Sequence, residues 1–402
     1  MSDGSPPGDQ ARVLAVNAGS SSLRFALYEV TEPLLKRMSG KIDRIGLSDA
    51  TLTVDGSTGE RAQSRAIDAG DQSAATSALI NWLEEAHVLS AVKAVGHRVV
   101  HGGARYSAPE RIDDELVREL RRISDYSPEH LPAEIDLVER LRQRLPDIPH
   151  VACFDTAFHR DMPRVAQLLP IPRRFDAKGI RRFGFHGLSY QFLIEELERT
   201  AGTEAALGRI VLAHLGNGSS LAAVWQGKSA DTTMALTPAA GVPMSTRSGD
   251  LDPGLAWYLA RSENMSAEQF HRMVNHESGL LGVSETSSDM RDLLAREAAD
   301  VRAAEAVALY CYQVSKSIGA FAAALGGLDT LVFAGGIGES APVIRQRICE
   351  RLGFLGVALD EKNNATNEAL ISAHASAVAV RMIRTDEEVM IARATQRFLR
   401  GA

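Results

Sequence analysis

Two arginines, an aspartate and a histidine lie in short motifs that could do chemistry together. Arg98 and Asp155 follow the apolar runs of "AVGHRVVHGG" and "ACFDTAFH", while His186 and Arg247 lie in "RRFGFHGLSY" and "MSTRSGDLDPG". A guanidinium is planar and suits a carboxylate or a phosphate. Phosphoryl transfer mainly needs positioning and charge neutralisation. The set therefore predicts phosphoryl transfer, because neither a serine–histidine–acid order nor a metal-ligand spacing accompanies it.

Each of these residues also has a structural alternative. Arg98 lies among valines, so its charge must meet an anion, which could equally be an internal ion pair. Asp155 comes at the end of a strand, where α/β enzymes place working carboxylates, but an aspartate there can simply cap a helix or a turn. His186 and Arg247 can both be structural residues.

Three turns rich in glycine and serine predict sites for phosphate. Successive backbone N–H groups can approach an anion where side chains are small, and an amide oxygen can serve a hydrated magnesium ion. The alternative for each is an ordinary polar turn. The first turn offers Asn17, Gly19, Ser20, Ser21, Ser22 and Arg24, and the second His214, Leu215, Gly216, Asn217, Gly218, Ser219 and Ser220.

The third turn, in "LVFAGGIGESAPVIRQRICERLG", predicts a strand, a glycine turn and a helix. Gly335, Gly336 and Gly338 would form the turn, and Ser340 would cap a helix that carries Ile344. The pattern is neither a Walker loop nor a GxGxxG fingerprint. It indicates a place for a phosphate or for an adenine ring.

The elements that must position these groups alternate along the chain. β-rich runs at 13–16, 23–30, 95–100, 150–154, 210–215, 221–225 and 330–334 are separated by helical periodicities, which indicates an α/β fold. Helical spacing predicts two helices, through Ile112 to Ile123 and through Ile135 to Leu145, each with arginine and glutamate on its outer side. The apolar run from Ala303 to Leu328 contains polar residues, so it predicts a core helix and not a membrane span.

Length and an internal echo predict two domains. A chain of 402 residues exceeds what one hydrophobic core usually organises. The stretch "VLAVNAGSSSLRFALY" returns as "IVLAHLGNGSSLAAVWQGK", which favours a duplication over chance resemblance.

The net charge of −7 argues against nucleic acid or a membrane surface as a partner. Three widely spaced cysteines and a polar start without a signal peptide favour the cytoplasm.

The chain resembles the acetate kinase family, part of the superfamily of sugar kinases, heat-shock ATPases and actin. The motifs that carry the resemblance run through nearly the whole chain in the order and spacing of the family: "NAGSSSLRF", "GHRVVHGG", "FDTAFH", "FGFHG", "HLGNGSS", "STRSGDLDP", "SSDMRD", "GGIGES" and "TDEEVMIAR". The resemblance implies two duplicated ribonuclease H-like, actin-like ATPase domains with a cleft between them, and a homodimer. The domains would be 1–158 with a returning C-terminal helix at 388–402, and a nucleotide-binding domain at 159–387.

The resemblance also implies roles for particular residues in making acetyl phosphate and ADP from acetate and ATP. Asp155 would be the catalytic acid, and His186 and Arg247 would stabilise the phosphoryl group. Asn17 and Glu387 would hold Mg²⁺, with Mn²⁺ as a possible substitute. Arg98, Val100, His130, Phe185 and Pro238 would bind the substrate. The nucleotide would be lined by Arg24, by His214, Leu215, Gly216, Asn217 and Gly218, by Asp289, Met290 and Arg291, and by Gly336, Ile337, Gly338, Glu339 and Ser340.

The sequence departs from the family pattern at several positions. The family usually has lysine in place of Arg24 and asparagine in place of Ser340 and Asp386. In "SPEHLPA" it usually has an apolar residue where this chain has Glu129. A charge in a pocket wall would repel a carboxylate and cost desolvation. Either Glu129 turns outward and acetate remains the substrate, which we favour, or it pairs with a polar group and the substrate differs.

Three alternatives stay open. The chain could phosphorylate another short acid, such as propionate or butyrate. It could also be an actin-like ATPase switch, or a degenerate kinase, without a small-acid substrate. Two arginines suited to a carboxylate argue against the switch, because a chaperone or filament protein has no need of them.

Overall fold

The structure, a computed structural model, describes residues 11–19, 22–56 and 63–400. It confirms the α/β class, with helices and two β-sheets. The chain divides into two compact units, which we call unit 1 (Met1–Ala157 and Asp386–Ala402) and unit 2 (Phe158–Thr385). Each helix within the described ranges is too short or too polar to span a bilayer.

Unit 1 is built on one eight-stranded sheet in the order β5-β4-β3-β2-β1-β6-β8-β7. Its strands are β1 (Arg12–Ala18), β2 (Ser22–Glu29), β3 (Leu35–Asp43), β4 (Thr51–Gly56), β5 (Gln63–Ala66), β6 (Val92–Val99), β7 (Glu110–Arg111) and β8 (His150–Phe154). Its helices are α1 (Gln72–Glu85), α2 (Asp114–Arg122), α3 (Leu131–Arg144) and the last helix of the chain, α16 (Glu387–Leu399). Short 3-10 segments lie at Leu89–Ala91 and Ser124–Tyr126, and a third, Ala157–His159, contains the boundary between unit 1 and unit 2.

Unit 2 is built on a five-stranded sheet in the order β11-β10-β9-β12-β13. The strands are β9 (Arg209–Leu215), β10 (Ser219–Trp225), β11 (Lys228–Thr232), β12 (Thr330–Ala334) and β13 (Ala379–Met382). The first helices are α4 (Arg164–Gln167), α5 (Arg173–Asp176), α6 (Gly187–Ala201), α7 (Thr203–Leu207), α8 (Gly254–Ser262) and α9 (Ala267–His276). Then follow α10 (Gly279–Ser284), α11 (Met290–Arg296), α12 (Val301–Leu325), α13 (Gly335–Ser340), α14 (Pro342–Cys349), a 3-10 segment (Glu350–Leu355) and α15 (Glu361–Ala365).

The two sheets share one topology. In unit 1, β1 pairs antiparallel with β2 and β2 with β3, while β1 pairs parallel with β6 and β6 with β8. Unit 2 repeats this order and direction in β11-β10-β9-β12-β13. The two similar stretches of the sequence form the first hairpin of each sheet, β1–β2 and β9–β10. The predicted duplication is therefore confirmed at the level of topology.

Helices cover the faces of both sheets. The long helix α12 packs on β9 and β10 of unit 2, where its buried residues join one apolar core. The last helix, α16, packs on β1, β6 and β8 of unit 1. It lies so close to β6 that a Cβ on Gly96 would overlap Thr395 and Ile391. The final helix of the chain therefore completes the core of unit 1.

Several predicted details are wrong or incomplete. Gly335–Ser340 forms the short helix α13 and not an open turn, and Ser340 does not cap the helix that follows. The N-cap of α14 is Ala341, without a side-chain hydrogen bond, because Pro342 takes the first helical position and keeps the residue before it out of the helix. The periodicities also missed β3, β4, β5, β7, β11 and β13.

Candidate functional site

Arg98 is the centre of a buried polar cluster in unit 1. It lies near the end of β6, and its Nε and Nη2 donate to Asp155 Oδ2 at 3.1 and 2.5 Å. Its Nη1 donates to Ala18 O at 2.6 Å and to Glu134 Oε1 at 3.3 Å. Burial opposes its charge, but the carboxylates of Asp155 and Glu134 outweigh burial and raise the Arg98 pKa above its ordinary value. The internal ion pair, left open as an alternative by the sequence, is therefore present.

This arrangement nearly exhausts the donors of Arg98. A guanidinium has five N–H bonds. Four are used by Asp155, Ala18 O and Glu134, so within the described part of the chain one N–H on Nη2 is left for a ligand. The side chain is 10% exposed, so a ligand can still reach it.

Asp155 lies in the turn directly after β8 and is buried. Its Oδ2 accepts both bonds from Arg98, so it is neither a helix cap nor a simple turn residue. Among the residues that the structure describes, its Oδ1 has no hydrogen-bond partner, although it is buried. A buried carboxylate oxygen without a partner is costly and points to a ligand or a water.

Glu134 joins this cluster although the sequence placed the glutamates of its helix on the outer side. That prediction is wrong for Glu134, which is buried in the first turn of α3. Burial raises its pKa to about 7, against the charge of Arg98 and the N–H of Val100. A signal for it existed, because Glu134 lies one turn before Val138 on the apolar face of the helix.

Asn17 and Glu387, the predicted metal ligands, lie together in unit 1. Asn17 Nδ2 donates to Glu387 Oε2 at 2.8 Å and to Glu388 Oε1 at 3.1 Å. Burial, and then the charge of Asp155, raise the Glu387 pKa to about 7. Among the described residues, no group of three or more His, Cys, Asp or Glu side chains could hold a metal ion. Two oxygen ligands in an excess of negative charge still suit Mg²⁺, which usually keeps several waters.

The other predicted substrate residues of unit 1 lie near these elements in the chain. Val100 is buried directly after β6, and its N–H donates to Glu134 Oε2 at 2.9 Å. His130 is the buried N-cap residue of α3, with its Nδ1 3.3 Å from Ser127 Oγ. Glu129, the departure from the family pattern, is exposed in the turn before it.

His186, in unit 2, takes an unusual backbone conformation where α6 begins. Its φ is +58°, in the left-handed region that few residues other than glycine adopt. Its Nδ1 lies 2.9 Å from Ser220 Oγ, and that hydroxyl lies 2.5 Å from Tyr190 Oη. The ring stacks on His214 with 4.3 Å between the centroids. A strained backbone conformation that several surrounding contacts hold in place is typical of functional positions.

Arg247 and His186 meet at the turn between β9 and β10. A Cβ on Gly218 would lie 3.4 Å from His186 Nε2 and 3.5 Å from Arg247 Nη1. Arg247 Nη1 also donates to Pro238 O at 3.1 Å, which brings another predicted residue to this place. Phe185 is buried beside His186 in the sequence, and its carbonyl oxygen lies 3.0 Å from His159 Nε2.

The helix α13 begins against the same hairpin. Gly335 has φ +76°, and a Cβ there would lie 2.7 Å from Leu215 O, so only glycine fits. A Cβ on Gly216 would lie 3.7 Å from the backbone nitrogen of Gly336. The second and third predicted turns therefore lie side by side in unit 2.

A buried arginine, which the sequence analysis did not single out, fixes the end of α13. Arg345 is fully buried. Its Nη1 donates to Gly338 O at 2.8 Å and to Glu339 O at 3.2 Å. Its Nε and Nη2 donate to Asn364 and Asn367. It is satisfied by carbonyl and amide oxygens alone, and burial lowers its pKa.

The remaining predicted nucleotide residues are less closely tied to these clusters. Arg24 is exposed on β2, so it is not a buried cation, and it pairs in register with Asn17. Asp289 caps α11 and forms an ion pair with Arg291 at 2.5 Å, while Met290 is buried. Ser20 and Ser21 lie outside the described residues.

A cavity of about 340 Å³ lies elsewhere in unit 1. Its lining includes Arg111, Arg142 and His150, and it contains none of the predicted site residues.

Comparison with known proteins identifies the family of the chain. The sequence profile of the Acetokinase family matches residues 12–393. The chain is 42% identical over 394 residues to an acetate kinase of Rhodopseudomonas palustris, covering 97% of this chain and 98% of that protein. It is 40% identical over 391 residues to a propionate kinase of Citrobacter rodentium, covering 96% of each.

Solved structures agree. The crystal structure of a propionate kinase from Francisella tularensis matches with a TM-score of 0.88 and 33% identity, over 96% of this chain and 99% of that one. That of Porphyromonas gingivalis acetate kinase matches with a TM-score of 0.84 and 34% identity, over 97% and 100%. The expected resemblance and fold class are confirmed. The chain belongs to the acetokinase family, and it is a kinase.

Proposed function

We propose that this kinase transfers the terminal phosphoryl group of ATP to acetate. Its family, with relatives named for acetate and for propionate, supports a short-chain carboxylate as the acceptor. The observation that carries the proposal is the pairing of Arg98 with Asp155. A guanidinium with one N–H left for a ligand lies next to a buried carboxylate oxygen that has no partner among the described residues.

In the proposed reaction, Arg98 donates to one oxygen of the acid and thereby orients it. The other oxygen forms a bond to the γ-phosphorus while the bond from that phosphorus to ADP breaks, and the electron pair leaves with ADP. His186 and Arg247 donate to the phosphoryl oxygens, over which negative charge is spread during transfer. Asp155 holds the guanidinium in place and stays within reach of the acid. The products are acetyl phosphate and ADP, and the reaction is reversible.

The glycine turns of unit 2 would hold the nucleotide. Gly216, Gly218 and Gly336 leave space for phosphate oxygens next to backbone N–H groups, and Gly335 can lie close to Leu215 only because it has no side chain. Asn17 and Glu387 would hold Mg²⁺, or Mn²⁺ in its place. A divalent ion there would neutralise phosphate charge when bound.

Acetate is favoured over a different acid because Glu129 is exposed and does not fill a buried pocket wall. Propionate is the second candidate, because a relative of similar identity is named a propionate kinase. The test measures ADP formation from ATP and Mg²⁺ with acetate, propionate, butyrate and hydroxylated acids, and without any acid. We expect acid-dependent ADP formation with the highest kcat/KM for acetate. A better acid would replace acetate in the proposal, and acid-independent hydrolysis would support the ATPase switch.

We also propose that units 1 and 2 are the two domains and that the chain is a cytoplasmic homodimer. The free, buried cysteines Cys153, Cys311 and Cys349 suit a reducing compartment. In unit 2, α8 buries none of its residues, and it exposes 71% of Trp257 and 64% of Tyr258. Exposed aromatic side chains of this size are typical of an interface. Sedimentation equilibrium at micromolar concentration should give twice the mass of the chain, and a single-chain mass would contradict the dimer.

A further inference from the structure

We propose that Glu134 is a positioning residue that holds both ends of the acid site in unit 1: Arg98, which binds the carboxylate, and Val100, which walls the alkyl group. This inference rests on the proposed function, because it assigns Glu134 to the site for the short-chain acid. Glu134 was not among the residues expected from the sequence.

The geometry gives each oxygen of Glu134 a separate task. Oε1 accepts from Arg98 Nη1 at 3.3 Å, and Oε2 accepts from the backbone N–H of Val100 at 2.9 Å. The carboxylate thus joins the side chain of one residue to the backbone of another two positions later. Its own backbone is fixed in the first turn of α3, where the Glu134 N–H donates to His130 O at 3.0 Å.

Burial makes these contacts consequential. The Glu134 side chain is 3% exposed and that of Arg98 is 10% exposed, so water can replace little of what either contact provides. A buried carboxylate persists when it is paired and hydrogen-bonded. Burial raises the Glu134 pKa to about 7, while Arg98 and the Val100 N–H act in the opposite direction. The contacts from Arg98 and from the Val100 N–H thus offset part of the cost of burying the Glu134 carboxylate and hold it in place.

The arrangement fixes how the acid can bind. With Glu134 and Ala18 O on Nη1 and with Asp155 on Nε and Nη2, one N–H has no partner among the described residues, so Arg98 contacts one oxygen of the substrate and not two. The second oxygen stays free of Arg98, which suits an atom that must attack phosphorus. Because Glu134 also sets the position of Val100, it fixes the separation between the carboxylate contact and the alkyl wall.

Two substitutions separate the two contacts. In Glu134→Gln, the amide oxygen can still accept from Val100, but the amide NH₂ group faces Arg98, so a donor meets a donor. In Glu134→Ala, both contacts are lost. Glu134→Asp keeps the charge on a shorter side chain. The matched control is Glu139→Gln on the same helix, because Glu139 pairs with Arg121 and lies outside the cluster.

We expect Glu134→Gln to raise KM for acetate and for propionate by about tenfold or more, with KM for ATP within twofold of wild type. The ratio of kcat/KM between the two acids should stay unchanged in Glu134→Gln and change at least threefold in Glu134→Ala, because only the second frees Val100. Glu134→Asp should recover part of the loss. Thermal unfolding checks that each variant is folded. If Glu134→Gln does not fold, the KM for the acids and the KM for ATP are measured on Glu134→Asp instead.

Two outcomes would overturn the inference. One is a folded Glu134→Gln whose KM for the acids equals that of wild type. The other is an equal rise in KM for the acids and for ATP, which would indicate a general structural defect. The proposed function fails separately: in that case wild type and Glu139→Gln form no acid-dependent ADP with any acid tested.

Discussion

Replacing Gly218 by alanine should slow catalysis strongly while leaving the fold intact. The added Cβ would lie 3.4 Å from His186 Nε2 and 3.5 Å from Arg247 Nη1. These are close to ordinary van der Waals contacts, and the φ of Gly218 lies outside the left-handed region. The methyl group would therefore fit, but it would occupy a position that both nitrogen atoms face, where a phosphoryl oxygen is expected.

The size of the effect follows from the donors that the methyl group would displace. Losing one preorganised donor to a charge that develops in the transition state typically costs about 3–4 kcal/mol. Since about 1.4 kcal/mol corresponds to a factor of ten, kcat should fall by about 10²–10³-fold. The free energy of unfolding should change by less than about 1 kcal/mol, because the Cβ overlaps no backbone atom.

The assay compares Gly218→Ala with wild type and with Gly353→Ala. Gly353 is a matched control, because a Cβ there meets nothing within 4 Å and it lies in the 3-10 segment after α14. Steady-state rates with acetate and ATP give kcat, and urea unfolding gives the stability. A folded Gly218→Ala enzyme with kcat within threefold of wild type would refute the reasoning, because the methyl group would then not stand where the phosphoryl group passes.

Two further predictions concern stability. Arg345→Met should lower the free energy of unfolding by about 3–5 kcal/mol, because it leaves buried acceptors around α13 without a donor. The control Arg347→Met breaks a partly exposed pair with Glu297 and should lower it by about 1 kcal/mol or less. Equal losses of the two variants in urea unfolding would contradict this prediction. His150 lies buried, with its pKa lowered by burial from an ordinary 6.5 to about 4. The stability it contributes is present above pH 6.5 and is lost as the pH falls towards 4, by about 3 kcal/mol. Unfolding measured across this range should therefore depend less on pH in His150→Gln, and an unchanged pH dependence would count against the assignment.

The sequence predicted the strands that carry the site, because those strands are buried and read as short apolar runs. β1, β6, β8, β9 and β12 all come within a few residues of the predicted runs. Their ends carry the glycines, the polar turns and the charged residues that favoured a phosphoryl-transfer site. The repeat of one hairpin was visible for the same reason, since both copies keep their apolar flanks.

The missed strands lack that signal. β3 alternates poorly between buried and exposed residues, and β5 is exposed at every position. Such strands are held by pairing with a neighbour, which no local pattern reports. β7 has two residues, too few for any periodicity.

The residue of the site that the sequence missed is a charged one in a buried position. Glu134 was assigned to the outer face of α3 by its residue type, although its spacing from Val138 placed it on the inner face. Its partners, Arg98 and the backbone of Val100, are far away in the chain, so no local window could contain them. The internal pairing of Arg98 was foreseen as an alternative, but the number of its N–H groups already in use follows only from the structure.

The position of α16 on β6 has a consequence for how the protein is made. The ribosome releases the first eight strands long before the helix that covers Gly96 is synthesised, because the whole of unit 2 is translated between them. At about 5–20 residues per second, the nascent sheet waits on the order of ten seconds or more with one apolar face open to the cell. Chaperone binding during translation should therefore concentrate on the first half of the chain and end when the last helix emerges.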